Sequence, residues 1–295
     1  MRHIKELSNR NKIISESTYK SVFRPYDTMA YTIKFVFSGV ENCNINNRTV
    51  SIFPDSFVML NAGTNYKSVI DSITPVSTLS VSFDPSFVED FNSLCQLDHE
   101  QLLDGNRTVQ TPVFMETLYP FMGDMKYNIL HLKSQLDKGA DNEMLMNEYL
   151  HHCLINYYKI YQHEVLQKVG RLRFIRTKTR EEVLRRLVLA REYINSNFNK
   201  NILLEDISAY CFLSVNHLLR TFKEAYGTSP YQHLIQLRIN RAKYLLKTSD
   251  YPLSEIVCLI GFENTSSFIR LFKQATGMTP TKYRKQHERM FYSVA

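Results

Sequence analysis

The chain has 295 residues, of which 44% are hydrophobic and 22% charged, an ordinary composition for a soluble globular protein large enough for two domains. Its formal charge of +7 is unevenly distributed: residues 1–165 carry 14 Lys and Arg against 19 Asp and Glu, whereas residues 166–295 carry 22 against 10. A basic half beside a mildly acidic half is typical of one domain that faces a polyanion and another that does not. Charge alone leaves a solvated cationic surface equally open.

The five cysteines lie far apart and form no Cys-x-x-Cys pair, so the sequence predicts neither a zinc site nor a disulfide framework. Met1 to Ser17 is polar and lacks the apolar core of a signal peptide. No apolar run approaches the length that spans a bilayer. We therefore expect a soluble cytoplasmic protein without membrane contact.

Strands are predicted within residues 31–83, where short runs rich in Val, Ile, Phe, Tyr and Thr alternate with turn signals. These runs are Tyr31–Val40, Thr49–Phe53, Phe57–Leu60 and Val76–Phe83. Several short strands favour a small barrel or sandwich. The six histidines of residues 1–165 all lie outside this region, so a metal-dependent barrel enzyme is disfavoured. The interior is expected to hold apolar packing or a small-molecule pocket.

From Pro85 onward the spacing of apolar residues becomes helical, and helices are predicted over Pro112–Met125 and Met144–Val169. The second helix has one broad apolar face, formed by Leu145, Tyr149, Leu150, Cys153, Leu154, Tyr157, Ile160 and Tyr161. Such a face is more often core than interface, but a dimer seam stays open. His151 and His152 on this helix lack a third ligand and are expected at the surface.

A cationic segment follows, in which Gly170 is expected to break the helix. Gln167 to Arg180 contains no acid and six cations: Lys168, Arg171, Arg173, Arg176, Lys178 and Arg180. We place a basic linker at residues 166–180, between domains at residues 1–165 and 181–295. A solvated connector and a set of phosphate contacts both remain open for this segment.

Two stretches of the basic half, Leu218–Pro230 and Phe268–Pro280, nearly repeat each other fifty residues apart. A duplication of this size indicates two copies of one supersecondary module. A short helix and a turn precede each copy, so we predict helix-turn-helix units at about residues 203–226 and 253–276. The predicted N-caps are Ser214 and Asn264, the predicted helix ends are Gly227 and Gly277, and Gly261 suits a turn of positive φ.

The second helix of a helix-turn-helix enters the major groove of DNA. Leu218 and Phe222 are four residues apart and are expected in the core, as are Phe268 and Phe272. The residues expected on the opposite face are Asn216, Arg220 and Lys223 in the first unit and Ser266, Arg270 and Lys273 in the second. Asn pairs with adenine and Arg with guanine, whereas Lys more often contacts phosphate. Surface ion pairs of both arginines are the alternative.

Three further segments carry a family resemblance: Ala242-Lys243-Tyr244-Leu245-Leu246, then Ile256-Val257-x-x-Ile260-Gly261-Phe262-Glu263-Asn264-x-x-x-Phe268-x-Arg270-x-Phe272-Lys273, then Gly277-Met278-Thr279-Pro280-Thr281-Lys282-Tyr283-Arg284. Through them, residues from about 181 to 290 resemble the AraC/XylS family of bacterial transcription regulators. The resemblance implies seven helices, with two helix-turn-helix units joined by a long helix and set against successive major-groove faces on one side of the DNA.

The resemblance also places base-reading positions at Asn216, Leu219 and Arg220 in the first unit and at Thr265, Ser266, Ile269 and Arg270 in the second. The full set of candidate DNA-contacting residues is Asn216, His217, Leu219, Arg220, Lys223, Thr265, Ser266, Ser267, Ile269, Arg270 and Lys273. Leu219 and Ile269 depart from a polar reader, so each is expected either to contact a thymine methyl or to pack. The short hydroxyl side chains of the second unit suggest a weak or water-mediated readout.

Residues 20–165 resemble, less specifically, the N-terminal half of the same family, a cupin-like barrel followed by dimerising helices. The expected fold is a two-domain α+β chain, with an N-terminal cupin-like β-barrel with helices and a C-terminal all-α domain of two helix-turn-helix units. The implied function is a homodimeric regulator, an activator that places RNA polymerase at promoter DNA. Control by a small-molecule effector in the barrel or by a protein partner stays open. We expect no catalytic residue, cofactor or metal, against two alternatives: a cupin enzyme or an alkyl-transfer repair protein fused to the DNA-binding domain.

Overall fold

The computed structural model of the chain describes residues 2–23, 29–96, 112–139, 141–174 and 176–292, without the side chains of 23, 94–96 and 287–292. The backbone forms two compact units, residues 1–167 and residues 168–295. None of the helices within the described ranges is both long and apolar enough to cross a membrane.

The N-terminal unit is built on an antiparallel sheet. Its strands are β1 (Arg2–Glu6), β2 (Lys12–Phe23), β3 (Tyr31–Ser38), β4 (Glu41–Ile45), β5 (Arg48–Ile52), β6 (Ser56–Leu60), β7 (Tyr66–Phe83) and β8 (Leu118–Pro120). The strand order is β1-β2-β7-β3-β6-β8, and β4 joins β5 to the first residues of β7. The 18-residue β7 pairs with β4 at one end and with β3 at the other, so it connects two parts of the sheet.

Six strands surround one apolar core, to which β3 through β8 all contribute. Its buried residues are Val36, Cys43, Ile45, Val50, Ile52, Val58, Leu60, Tyr66, Ile70, Val76 and Leu118. Shared burial by six strands requires a strongly curved sheet, as expected of a barrel. Within the described residues, however, β1 pairs only with β2, and β8 only with β6. The prediction of a barrel is therefore wrong in its closure, because the sheet is open between these edges.

The strand predictions agree with the structure where the strands are apolar. Tyr31–Val40, Thr49–Phe53 and Phe57–Leu60 match β3, β5 and β6 to within a few residues. Val76–Phe83 covers only the second half of β7, and β1, β2, β4 and β8 have no predicted counterpart. β2 is rich in polar residues and is held by backbone pairing with β7 from Lys12 to Phe23, so its sequence carries little hydrophobic signal.

A buried ion pair lies inside this sheet. The Nζ of Lys34 on β3 is 2.8 Å from the Oε1 of Glu41 on β4, and the two side chains are 4% and 3% exposed. The Ser68 hydroxyl donates to the same carboxylate, and Lys34 also contacts the Ser80 hydroxyl at 3.4 Å. Burial alone would lower the pKa of Lys34, but the Glu41 carboxylate raises it above its usual range. The burial of the Lys34 ammonium therefore depends on the Glu41 carboxylate beside it.

Helices complete the N-terminal unit. They are α1 (Pro85–Gln96), α2 (Gly123–Asp137), α3 (Glu143–Tyr161) and a π-helical turn (Gln162–Leu166). A short helix, α4 (Gln167–Arg171), follows at the boundary and lies almost entirely in the C-terminal unit. The helix predicted over Pro112–Met125 is wrong. There, Leu118–Pro120 pairs with β6, and the side-chain amide of Asn61 exchanges hydrogen bonds of 2.8 and 2.9 Å with the backbone of Phe114. These tertiary bonds use the backbone groups that a helix would need.

The apolar face of α3 packs inside its own unit. Leu150, Cys153, Leu154 and Tyr157 are fully buried, and the ring of Tyr157 meets the ring of Phe114 edge-on at 5.1 Å. The other four residues of the predicted face, Leu145, Tyr149, Ile160 and Tyr161, are half-buried. Packing inside the unit therefore accounts for much of this face, and a dimer seam stays a prediction. Gly170 lies inside α4 and does not break the helix as predicted.

After the short helix α4, the described residues of the C-terminal unit form seven helices, the number that the resemblance implies. They are α5 (Thr177–Asn197), α6 (Leu204–Tyr210), α7 (Val215–Tyr226), α8 (Pro230–Thr248), α9 (Leu253–Leu259), α10 (Thr265–Thr276) and α11 (Pro280–Tyr292). Helix α5 begins four residues before the predicted Glu181. Much of the basic segment 166–180 is therefore helical, and only residues 172–176 separate α4 from α5.

We predict that Lys34→Met lowers the free energy of unfolding by about 3–5 kcal/mol, because it leaves the Glu41 carboxylate buried without its partner. The double variant Lys34→Met/Glu41→Leu should recover most of that loss, since it removes both charges. Urea unfolding followed by circular dichroism measures both. Lys20→Met, at an exposed position of β2, is the control, and an equal loss in that control would contradict the role of the ion pair.

Candidate nucleic-acid interface

The first helix-turn-helix unit consists of α6 and α7. The Ser214 side chain caps α7 by accepting from the backbone N–H of His217 at 3.4 Å. Gly227 ends the helix in the left-handed conformation, with φ 74°. Both signals predicted from the sequence therefore act as expected, and they fix which residues lie in the first turn of α7.

The second unit, α9 and α10, repeats this arrangement. The Asn264 side chain accepts from the backbone N–H groups of Ser266 at 2.8 Å and Ser267 at 3.3 Å, and Gly277 ends α10 with φ 76°. Between the units, Ser229 and Gln232 cap the long helix α8 reciprocally, with Pro230 at its first position. Both candidate reading helices are thus of equal length and are bounded by the same kinds of cap.

The two faces of each reading helix divide as the sequence predicts. Leu218 and Phe222 on α7, and Phe268 and Phe272 on α10, are all 0% exposed. The candidate readers on the opposite faces are exposed: Asn216, Arg220 and Lys223 on α7, and Thr265, Ser266, Arg270 and Lys273 on α10. Side chains of hydrogen-bonding and cationic type therefore project from the same face in both units.

The exposed cations of these faces are available to a ligand. Arg220, Lys223, Arg270 and Lys273 form no ion pair with any residue that the structure describes. The alternative in which both arginines serve as surface ion pairs therefore has no support among the described contacts. A cation without an acidic partner is available to phosphate oxygens or to the acceptor atoms of guanine.

Four members of the predicted set are less accessible than the others. Ile269 is half-buried against the core of the second unit. Packing therefore explains better than a DNA contact why an apolar residue occupies this predicted base-reading position. Leu219 is also half-buried. His217 is half-buried, its ring lies 6.0 Å from that of Phe174, and its Nε2 has no hydrogen-bond partner among the described residues. Ser267 is half-buried at the first turn of α10.

The basic segment before α5 packs against the first unit, which the sequence did not indicate. The Nζ of Lys168 lies 4.8 Å from the ring centre of Tyr226, and Lys168 is only 7% exposed. The backbone N–H of Arg173 donates to Glu224 at 3.4 Å, and Phe174 contacts His217. Lys168 is therefore a packing residue rather than a phosphate ligand, whereas Arg171, Arg173, Arg176 and Lys178 are exposed.

The turn of the second unit approaches the loop after α5 closely. Gly261 has φ 77°, and a Cβ placed on it would lie 2.6 Å from the backbone carbon of Asn199. Two independent features therefore require glycine at this position: the positive φ and the lack of space for a Cβ.

Arg238 on α8 is a functional candidate that the sequence reasoning missed. It is 8% exposed, and it occupies the middle of an otherwise apolar row with Leu234 and Ala242 at four-residue spacing. A cation within an apolar stripe was the available signal. No group of three or more His, Cys, Asp or Glu suited to a metal ion occurs among the described residues.

A family model described as a helix-turn-helix domain matches residues 207–286. The probable transcriptional regulator LumQ of Photobacterium leiognathi is 34% identical over 98 residues, which are 33% of this chain and 40% of LumQ. The bifunctional transcriptional activator/DNA repair enzyme AdaA of Bacillus subtilis is 35% identical over 97 residues, 33% of this chain and 46% of AdaA.

A longer match joins this chain to YdiP of Escherichia coli, described as an uncharacterized helix-turn-helix-type transcriptional regulator. The two are 27% identical over 165 residues, which are 56% of this chain and 52% of YdiP. This match is longer than the C-terminal unit, so it reaches beyond it. The chain spans about half or less of the length of these curated relatives.

We predict that Gly261→Ala destabilises the C-terminal unit more than Gly277→Ala does. Each variant forces a left-handed conformation on a residue with a side chain, at a cost of about 1–2 kcal/mol. Only at Gly261 does the new methyl also meet a backbone, which should add about 1–3 kcal/mol. Thermal unfolding by circular dichroism compares them, and equal midpoints would show that the Asn199 loop moves aside freely.

Proposed function

We propose that this protein, a member of the AraC/XylS family through its C-terminal helix-turn-helix domain, is a sequence-specific DNA-binding transcription regulator of the cytoplasm. The observation that carries the proposal is the repeated exposed face of α7 and α10. Each face presents hydrogen-bonding and cationic side chains at the same spacing, on a helix capped at both ends. Two such faces on one domain suit two successive major-groove segments.

The proposal assigns different tasks to the exposed residues. Arg220 and Arg270 have the donor geometry for guanine, and Asn216 has that for adenine. Lys223 and Lys273 lie one turn further along and contact phosphates, which position the protein without reading sequence. Thr265 and Ser266 read through short or water-mediated bonds. His217, Leu219, Ser267 and Ile269 act mainly by fitting the helices against their own cores.

The N-terminal unit, in this proposal, is a cupin-like regulatory and dimerising domain. A cavity of about 970 Å³ opens at its surface, and its lining carries charged side chains of both signs and hydroxyl groups. The cations are Arg2, Arg10 and Lys12, the acids are Glu6, Asp84 and Glu89, and the hydroxyl groups include those of Thr32, Tyr66 and Ser82. This cavity supports a small-molecule effector. The homodimer that we propose must use residues other than Leu150, Cys153, Leu154 and Tyr157 of α3, which are buried in one chain. We propose activation through RNA polymerase on the basis of the family resemblance.

Control by a protein partner is the alternative to control by a small-molecule effector. A second alternative is an enzyme fused to the DNA-binding domain. A repair enzyme of the alkyl-transfer type needs a reactive thiolate. Burial raises the pKa of the Cys43 thiol to about 12 and also raises the pKa of Cys153 and Cys211, so these three thiols are poor nucleophiles. The match to AdaA covers 97 residues of this chain and so supports only a shared DNA-binding domain. Bound metal in the purified protein would favour a cupin enzyme.

The full chain and a fragment of residues 168–295 should both be titrated with DNA from upstream of the protein's own gene, at several salt concentrations. The fragment starts at Lys168 because that side chain packs on Tyr226. If the full chain and the fragment both bind specifically, sequence reading lies in the C-terminal unit. Specific binding by the full chain alone means that dimerisation supplies the affinity. If neither prefers any member of a random DNA pool, with or without candidate effectors, the proposed function is wrong.

We predict that Arg220→Ala relaxes selectivity at one or two base pairs and costs about 1–3 kcal/mol at the preferred site. A library of single-base variants of that site measures both effects. Arg185→Ala removes an exposed cation from α5, which is not a proposed reading helix, and should leave the selectivity unchanged. Unchanged selectivity in Arg220→Ala would remove this residue from the readers.

We predict that Lys273→Ala weakens binding to all DNA sequences by a similar factor, because a phosphate contact carries no sequence information. The slope of log affinity against log salt concentration should become shallower by about one unit. Fluorescence anisotropy at four or five salt concentrations measures the slope. A loss confined to one base pair, with the slope unchanged, would identify Lys273 as a base reader instead.

A further inference from the structure

Helix α5 contacts the first helix-turn-helix unit along its body. The Nη1 of Arg186 donates to the carbonyl of Phe212 in the turn of that unit, at 3.0 Å. The rings of Tyr193 on α5 and Tyr210 on α6 lie 4.9 Å apart. The position of α5 is therefore tied to that of the first unit.

The loop that follows α5, residues 198–200, contacts the second unit instead. Phe198 packs against the apolar core that includes Phe268 and Phe272. The backbone of Asn199 lies against Gly261, with no space for a side chain between them. One short loop thus touches the second unit while its own helix is fixed to the first.

Arg238 holds this loop in place from α8. Its Nε donates to the carbonyl of Phe198 and its Nη2 donates to the carbonyl of Lys200, both at 2.7 Å. The guanidinium also lies 5.4 Å from the ring centre of Phe262, in the turn of the second unit. Carbonyls at the end of a helix lack partners within the helix. The Phe198 carbonyl is at the C-cap of α5. A planar fork of donors satisfies it and the loop carbonyl of Lys200 at once, which a lysine ammonium does not reproduce.

We propose that Arg238 is a positioning residue that sets the separation of the two reading helices, and hence the spacing between the two DNA half-sites that the protein accepts. This inference rests on the proposed DNA-binding function. Arg238 is buried, so it acts through the 198–200 loop and Gly261 rather than by touching DNA. Two linked binding modules add their affinities fully only when their geometry matches that of their sites. Without the Arg238 hydrogen bonds, the contact between the 198–200 loop and the second unit is less rigid. The protein should then bind half-site spacings that the wild type does not.

The test begins with selection of preferred sites from a random DNA pool by the full-length protein. Affinities are then measured for the selected two-part site and for versions with one or two base pairs inserted or removed between its halves. For the wild type, one inserted base pair should lower affinity on the order of tenfold. For Arg238→Ala, affinity at the selected spacing should fall on the order of tenfold, and the insertion penalty should shrink to about twofold.

Two further variants separate positioning from stability. Ile239→Val removes one methylene from the neighbouring core and should leave the spacing preference unchanged. Arg238→Lys keeps the charge but not the fork, so it should show a reduced insertion penalty; it decides the matter if Arg238→Ala does not fold. An unchanged insertion penalty in the folded Arg238 variants would overturn this inference while leaving the proposed function intact. Failure of the wild type to select any two-part site would overturn both.

Discussion

The apolar pair of each reading helix is the constraint on which the C-terminal unit depends. Leu218 and Phe222, like Phe268 and Phe272, are four residues apart and completely buried. A helix that buries one such row must turn the opposite row outward. The caps at Ser214 and Asn264 then decide which residues occupy the exposed first turn. The same physical arrangement that stabilises the domain therefore fixes which side chains can meet DNA.

A pair of reading helices is useful only if their separation is controlled. Two segments of the C-terminal unit outside the helix-turn-helix units pack against these units. The segment around Lys168 and Phe174 packs along the first reading helix, and the 198–200 loop lies against the second unit. A DNA-binding fragment cut within the basic segment would lose the first of these contacts. The functional domain is accordingly larger than the matched residues 207–286.

The sequence predicted those features of the fold that depend on residues close together in the chain. Both helix-turn-helix units, their caps and their faces follow from periodicity, Ser or Asn before the helix and Gly after it. It failed where distant residues decide the structure. β2 is polar and needs β7 to become a strand, and Leu118–Pro120 needs β6 and Asn61. The hydrogen bonds from Arg238 to the 198–200 loop were missed for the same reason, because the carbonyls that Arg238 binds lie about forty residues away in sequence.

The central claim is that α7 and α10 enter successive major-groove segments of one DNA site. The most direct measurement uses an iron chelate that cleaves DNA, tethered to a cysteine at Asn216→Cys or Ser266→Cys. Cys258 and Cys95 are first replaced by serine, and the remaining Cys43, Cys153 and Cys211 are buried. The claim predicts one cluster of cuts from each variant, with the two clusters about ten base pairs apart on the same face. Overlapping clusters, or cleavage from only one position, would contradict it.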